Sequence, residues 1–314
     1  MKKILIFGAG VLGSLYAARL KQSGQDVTLL ARNTRLKDIK EHGIVLEHAL
    51  TGKREVVAVP VVDHLDENDA YDLIVVLVRE NQVASVLPLL AAHKATPNIL
   101  FMVNNPSGYV DWANAVGRER LVLGFAGAGG TLVGHVVRYV VVSRLLQPTT
   151  FGELNGTNSE RLKEIMHAFR SAGFPTATTS NMDAWHKSHV AWISAIANAL
   201  YRVNCDNHVL ARSPDVVRQA VRAVREGFRV LRSLGIPITP AKLQMWGWIP
   251  ESLLVRSLMW WADTNHFRTA AVEHTAAAAD EMHQLAEEFR TLAVSTPIAT
   301  PAIDELRSFI PAPV

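Results

Sequence analysis

The stretch Lys2–Leu20, KKILIFGAGVLGSLYAARL, admits two incompatible readings. Two lysines, an apolar run and a small-residue YAA resemble a secretory signal peptide. GAGVLG, with Gly8, Gly10 and Gly13, resembles a phosphate-binding turn between a strand and a helix. The residues flanking the glycines decide between them. Ile4–Phe7 is a continuous apolar run ended by glycine, as in a buried parallel strand. Val11, Leu15 and Ala18 then share a helical face, with Gly24 as the stop. QDVTLLAR supplies a second apolar strand, Val27–Ala31. Strand, glycine turn, helix and strand make a βαβ unit, which a signal peptide has no need of. Each glycine then has its own task. Gly8 makes the tight turn, Gly10 lets the backbone approach a pyrophosphate, and Gly13 lets the helix pack closely on the sheet. The free N–H groups of Ala9–Gly13, Val11 and Leu12 included, would face the phosphates at the helix N-terminus.

The end of the second strand selects the dinucleotide. A carboxylate there would hold the 2′-hydroxyl of NAD. The sequence reads ARNTR, with Arg32 at the strand end and Arg35 just beyond. A guanidinium can clamp a 2′-phosphate with forked hydrogen bonds, which favours NADP(H).

Composition bounds the rest. The 314 residues are enough for two domains, with 49% hydrophobic and 19% charged residues. No apolar run reaches the eighteen or so residues of a membrane span, so no membrane association is expected. The single cysteine, Cys205, rules out an internal disulfide framework and a Cys-rich zinc site, and favours a reducing compartment, the cytoplasm. The histidines, including His186, His189 and His283, show no metal-ligand spacing, so no metal is expected. A net charge of +3 with scattered arginines is too mild for a nucleic-acid partner but suits an anionic ligand.

DLIVVLV (Asp72–Val78) and NILFMVNN (Asn98–Asn105) read as further buried strands, and LVLGFAGAGG and RYVVVS continue the pattern. Ligands of parallel sheets bind at the carboxyl ends of strands, which marks Arg79, Asn104 and Asn105. RLKEIMHAFRSAGF and PTATTS read as a helix and a short strand that close a first domain, 1–180. The second domain, 181–314, reads as helical. One helix starts at Asn181 or Asp183, another runs from Ser213 to Gly235, and two more lie around Pro250–Trp261 and Ala270–Ala293. The meeting of an α/β domain with an all-helical one is the expected seat of an active site.

This order of elements resembles the ketopantoate reductase family. The resemblance rests on GAGVLGSLYAARL, LARN, NNPSG, AWHKSHVAW and DEMHQLAEEFRTLAVSTPIATP. It implies an α/β Rossmann domain followed by an all-α, 6-phosphogluconate-dehydrogenase-like C-terminal domain. It also implies NADPH-dependent reduction of a 2-oxo acid, most like 2-dehydropantoate (ketopantoate) to pantoate, in pantothenate biosynthesis. Lys187 of AWHK matches the family's general acid, and Glu281 of DEMH its assisting glutamate. Asn105 matches an asparagine near the nicotinamide, on both the cofactor and the substrate side. Arg79 stands where the family has a cofactor-side lysine. The chemistry suits these types, because hydride addition to a ketone builds negative charge on an oxygen that an ammonium can stabilise and protonate. Without the resemblance, Lys187 reads as a solvated helix lysine.

Departures from the family pattern bear on the substrate. Pro106 replaces a glycine. Ala191 and Ala195 stand where the family has substrate-binding asparagines, and Thr269 is the nearest match to a substrate-binding serine. At 3.6 residues per turn, Ser194 and Asn198 return to the Lys187 face and are the expected replacements. Trp246, Trp248, Trp260 and Trp261 suit core or interface packing, a homodimer included, or the wall of a pocket for a bulkier substrate. Three functions therefore stand side by side: a ketopantoate reductase; a related NADPH oxidoreductase for another carbonyl or imine; and a non-catalytic NADP(H)-binding sensor or interaction protein.

Overall fold

The computed structural model describes residues 3–311 and divides into two compact units. The first runs to Val103 and resumes at Tyr109–Met182; the second is Asn104–Gly108 with the chain from Asp183 onward.

The first unit holds strands β1 (Lys3–Phe7), β2 (Asp26–Leu30), β3 (Ile44–His48), β4 (Arg54–Val57), β5 (Val61–Val62), β6 (Leu73–Val76), β7 (Ile99–Met102), β8 (Leu121–Phe125), β9 (Ala128–Val133), β10 (Val136–Val141), β11 (Thr149–Glu153) and β12 (Thr176–Thr178). Its helices are α1 (Val11–Gln22), α2 (Asn33–His42), α3 (Val83–Ala92), α4 (Val110–Val116) and α5 (Glu160–Ser171). The main sheet has the order β12-β11-β8-β7-β6-β1-β2-β5 and is parallel except where β11 meets β8. This is a Rossmann-type sheet. Successive connections leave β1 in opposite directions, toward β2 and toward β6, so β1 and β6 flank a topological switch point. Phe7 is in register with Leu30 on one side and Val76 on the other, so Gly8, Ala31 and Leu77 leave the sheet at one edge.

Helix α1 is buried nearly all round, from Gly13 to Ala18 and at Leu20. The reason is a second sheet, β4-β3-β10-β9, which packs on the helix. Strands β9 and β10 therefore do not extend the main sheet, as the pattern of apolar runs suggests; β10 pairs with β3, and β9 with β10. The Arg19 guanidinium, nominally on the polar face of α1, donates to the Tyr139 hydroxyl of β10 and lies 3.2 Å from Glu55.

The second unit is helical: α6 (Met182–Arg202), α7 (Asn207–Ala211), α8 (Pro214–Ser233), a 3-10 segment Ala241–Gly247, α9 (Glu251–Ala262), α10 (Asn265–Phe267), a π turn Arg268–Val272, α11 (Glu273–Ala277), α12 (Ala279–Val294) and α13 (Pro301–Arg307). Its core joins α6, α8, α9, α12 and α13 through residues such as Val190, Leu200, Val224, Phe228, Leu258, Leu285 and Leu306. The continuous helix expected over Ala270–Ala293 is interrupted at Ala278, whose backbone is at φ −133° and ψ 42°. The Tyr201 hydroxyl donates to the Thr275 carbonyl at 2.8 Å, satisfying an oxygen that an unbroken helix would use itself.

Candidate active site

In the first unit the glycine turn has the geometry its chemistry requires. Gly8 sits at φ +113°, and a Cβ there would come 2.5 Å from the Leu77 carbonyl oxygen. A Cβ on Gly13 would lie 1.8 Å from the Gly8 carbonyl oxygen, so only glycine lets α1 seat this close to β1. A Cβ on Gly10 would meet nothing within 4 Å. Space is therefore open at the cap of α1, where the N–H groups of Val11, Leu12 and Gly13 precede the first helical hydrogen bond, Ser14 N–H to Gly10. These residues fit a dinucleotide pyrophosphate.

The two arginines after β2 have different roles. Arg35 donates from Nε to the Ala9 carbonyl at 3.1 Å and from Nη2 to Ser14 Oγ at 3.0 Å, and burial lowers its pKa from the ordinary value. It braces the turn from behind. Arg32 is exposed at the strand end and makes no ion pair among the described residues. Arg79 follows β6 and caps the short 3-10 turn Glu80–Gln82, its N–H donating to Gln82 Oε1 at 3.3 Å.

In the second unit, Lys187 lies on the first turns of α6 with its side chain 12% exposed. Its Nζ lies 2.5 and 2.6 Å from the two carboxylate oxygens of Asp183, one turn earlier. Side chains on a helix lean toward its N-terminus, so the ammonium is drawn to that end. Asp183 is the functional candidate that sequence reasoning missed, although the i,i+4 acid–base spacing was available to find it. The Asn104–Gly108 turn adjoins it: a Cβ on Gly108 would lie 3.7 Å from Asp183 Oδ1.

Asn105 spends its amide on that turn. Its Oδ1 accepts from the Ser107 and Gly108 N–H groups at 2.9 Å, and its Nδ2 donates to the Gly108 carbonyl at 2.7 Å. One amide hydrogen is left for any ligand. Its neighbour Asn104 keeps a buried Oδ1 with no hydrogen-bond partner among the described residues.

Ser194 and Asn198 share the Lys187 face of α6 and are buried, at 8% and 4% exposure. Ser194 Oγ and Asn198 Oδ1 have no hydrogen-bond partner among the described residues. They lie about 10 and 16 Å along the axis from Lys187 at 1.5 Å per residue, and the ammonium reaches the other way. A small substrate touching Lys187 would therefore meet Ser194 before Asn198. Ala191 occupies a close helix crossing: a Cβ on Gly227 of α8 would lie 3.0 Å from Ala191 Cβ and 3.4 Å from Phe289.

Glu281, on α12, is buried and 3.9 Å from His274 Nε2. Lys187 and Glu281 form no ion pair; the partner of Lys187 is Asp183. Burial, with Cys205, Asp280 and Glu281 nearby, holds the Tyr201 hydroxyl well above its ordinary pKa. Thr269 is buried in the π turn, its hydroxyl donating to the Asn265 carbonyl at 3.2 Å. Among the tryptophans, Trp246 and Trp261 pack around Trp192, and Trp261 against Phe267. Trp248 and Trp260 are about three-quarters exposed. Among the described residues no group of three His, Cys, Asp or Glu side chains could hold a metal ion, and no helix is long and apolar enough to cross a membrane.

The first unit is a Rossmann-type fold with a glycine turn suited to a dinucleotide, and the second unit is helical. The family model of ketopantoate reductase PanE/ApbA matches residues 4–156. A 2-dehydropantoate 2-reductase of Pyrococcus horikoshii is 26% identical over 255 residues, covering 77% of this chain and 78% of the relative. The likeness to the ketopantoate reductase family model lies in the amino-terminal part, and the likeness to the Pyrococcus enzyme spans 77% of the chain. Two solved structures share the fold. One is D-mandelate dehydrogenase with NADH and anilino(oxo)acetate, at 18% identity, TM-score 0.79 and 99% and 97% coverage of this chain and that one. The other is 2-dehydropantoate 2-reductase from Geobacter metallireducens, at 17% identity, TM-score 0.77 and 98% coverage of each.

Proposed function

We propose that the protein reduces the keto group of a 2-oxo acid, most like 2-dehydropantoate, to a hydroxyl at the expense of NADPH, with Lys187 as the general acid. The observation that carries this reading is the Lys187–Asp183 pair: an ammonium largely withdrawn from solvent and held within 2.6 Å of a carboxylate. When bound, the nicotinamide supplies the hydride. The chain does the rest. The ammonium of Lys187 stabilises the negative charge developing on the carbonyl oxygen and donates the proton from Nζ. Asp183 aims that ammonium. Ser194 and Asn198 offer unpartnered polar atoms to the rest of the substrate, while Glu281 and Thr269 orient it from α12 and the π turn. Gly10 and the N–H groups of α1 hold the pyrophosphate, and Arg32, with no carboxylate beside it in ARNTR, takes the 2′-phosphate of NADP(H). Arg79 lies at the cofactor side of the same sheet edge. The single free Cys205 suits a reducing, cytoplasmic setting.

One observation favours a second reading, reduction of a different carbonyl or an imine. Ala191 is committed to the crossing with Gly227 and Phe289, so the polar contact of the family's asparagine is not restored at that position. A less polar substrate would tolerate this.

The test is NADPH oxidation with 2-dehydropantoate and with bulkier 2-oxo acids, for the protein and its Lys187→Ala variant. Turnover on 2-dehydropantoate that the substitution abolishes supports the first reading. Turnover only on the bulkier acids selects the second. Tight NADPH binding without turnover on any carbonyl or imine overturns both and leaves a cofactor-binding sensor.

A further inference from the structure

Helix α8 carries Arg218, Arg222, Arg225, Arg229 and Arg232. At 100° per residue they fall within a sector of about 80°, a single stripe about 21 Å long. The opposite face, with Val216, Ala220, Ala223 and Leu231, is core. Like charges at i,i+3 and i,i+4 repel, so five guanidiniums in a row need compensation.

That compensation is uneven along the stripe. At the N-terminal end Glu251 serves two arginines: Arg222 Nε and Nη2 each lie 3.0 Å from one of its oxygens, and Arg218 Nε is 3.6 Å away. Arg225 is fixed by the carbonyls of Trp246, at 2.8 Å, and Ile249, at 2.5 Å. Arg229 and Arg232 are exposed and form no ion pair among the described residues. A cavity of about 360 Å³ opens here, lined by Arg222, Arg225, Phe228, Arg229, Arg232 and Gly247, with Glu226 in its wall. Glu226 forms no ion pair with these arginines among the described residues. That side chain is buried and its oxygens accept the Ala302 and Ile303 N–H groups at 3.0–3.2 Å, capping α13. Gly247 borders the mouth, where a Cβ would lie 3.6 and 3.7 Å from the Arg232 guanidinium, in ordinary contact.

We propose that this cavity is an anion site that takes a small molecule bearing a di- or triphosphate group. Guanidinium forks match phosphate oxygens in geometry and charge. Arg225, Arg229 and Arg232 span about 10 Å along the axis, more than one phosphate or carboxylate covers and close to the length of a short polyphosphate. The volume lies in the range of small-molecule sites. The site uses none of the residues assigned to reduction, and a ligand held here would act as an effector.

Isothermal titration of the full chain with inorganic tripolyphosphate at low salt tests this. The expected result is one saturable site that weakens about tenfold or more in Arg229→Glu/Arg232→Glu. Arg32→Glu, at the end of β2 in the proposed cofactor site, and Arg256→Glu, an exposed arginine outside the stripe, leave it unchanged. Arg229→Gln/Arg232→Gln repeats the comparison should charge reversal impair folding. Loss in Arg32→Glu alone would put the polyphosphate in the proposed cofactor site, and equal weakening in Arg256→Glu would reduce it to non-specific attraction. Either outcome overturns the proposal, as does the absence of saturable binding.

Discussion

Lys187 and Asp183 are joined by two contacts, at 2.5 and 2.6 Å, across one turn of α6. An i,i+4 ion pair contributes little to stability, about 0.3–0.5 kcal/mol when exposed. Its value lies in aiming the ammonium. Lys187→Ala is expected to lower kcat by about 10²–10⁴-fold, the range of a lost general acid. Asp183→Asn should lower kcat by about tenfold while leaving KM and Tm nearly unchanged, and Asp183→Glu should restore part of the loss. A Tm that falls in step with kcat would mean the pair is structural only.

Arg32 stands free at the end of β2, whereas Arg35 is committed to Ala9 and Ser14. Removing a charge-assisted hydrogen bond costs about 1.5–3 kcal/mol, or roughly 10–150-fold in affinity. Arg32→Gln should raise KM for NADPH by about that factor and leave KM for NADH unaltered. Equal effects on both cofactors would detach Arg32 from the 2′-phosphate.

The glycines separate stability from binding. Gly13→Ala forces a methyl to 1.8 Å from the Gly8 carbonyl oxygen, so α1 must leave its seat. A loss on the order of 3 kcal/mol in urea unfolding is expected. Gly10→Ala adds a methyl where nothing lies within 4 Å, and stability should change by less than about 1 kcal/mol. Dinucleotide affinity should nevertheless fall, because in the proposed function that space admits the pyrophosphate. Unchanged affinity in a stable Gly10→Ala protein would move the cofactor elsewhere.

The glycine turn was legible because backbone sterics leave few residues able to do each task, so spacing alone carries the geometry. The face of α6 shared by Lys187, Ser194 and Asn198 was legible because helical period is local. What escaped was long-range. Nothing near Ala128–Val141 says that these strands pair with Ile44–His48 rather than the main sheet. The break at Ala278 depends on a hydroxyl from Tyr201, 74 residues from the carbonyl it satisfies. The close approach of Ala191 is to Gly227, on another helix. The Asn105 amide looked available because its hydrogen bonds to Ser107 and Gly108 form only in the folded turn.

Asn198 Oδ1 is buried without a partner among the described residues, and such a group costs about 1–3 kcal/mol. Asn198→Leu, close in shape, removes that cost. The variant should be about 1 kcal/mol more stable, while KM for the substrate rises, the pattern of a residue kept for binding at the expense of stability. A variant that is less stable, with substrate kinetics intact, would show that the amide serves the helix bundle.

His189 gives the protein a pH-dependent stability with a defined sign. Its ring stacks on Trp185, with centroids 5.2 Å apart and an interplanar angle of 13°. Burial, followed by the proximity of His186 and His274, pulls its pKa from 6.5 down to about 3. Between those values the unfolded chain binds a proton that the native state does not, so falling pH favours unfolding. The stabilisation from a neutral His189 is complete above pH 6.5 and is lost progressively as pH falls toward 3. One proton corresponds to a slope of at most about 1.4 kcal/mol per pH unit. Urea unfolding of the protein and of His189→Gln should therefore give stability curves that diverge between about pH 6 and 4, the variant's being flatter, and run parallel above about pH 7. Curves that stay parallel throughout would mean that His189 binds its proton equally in both states.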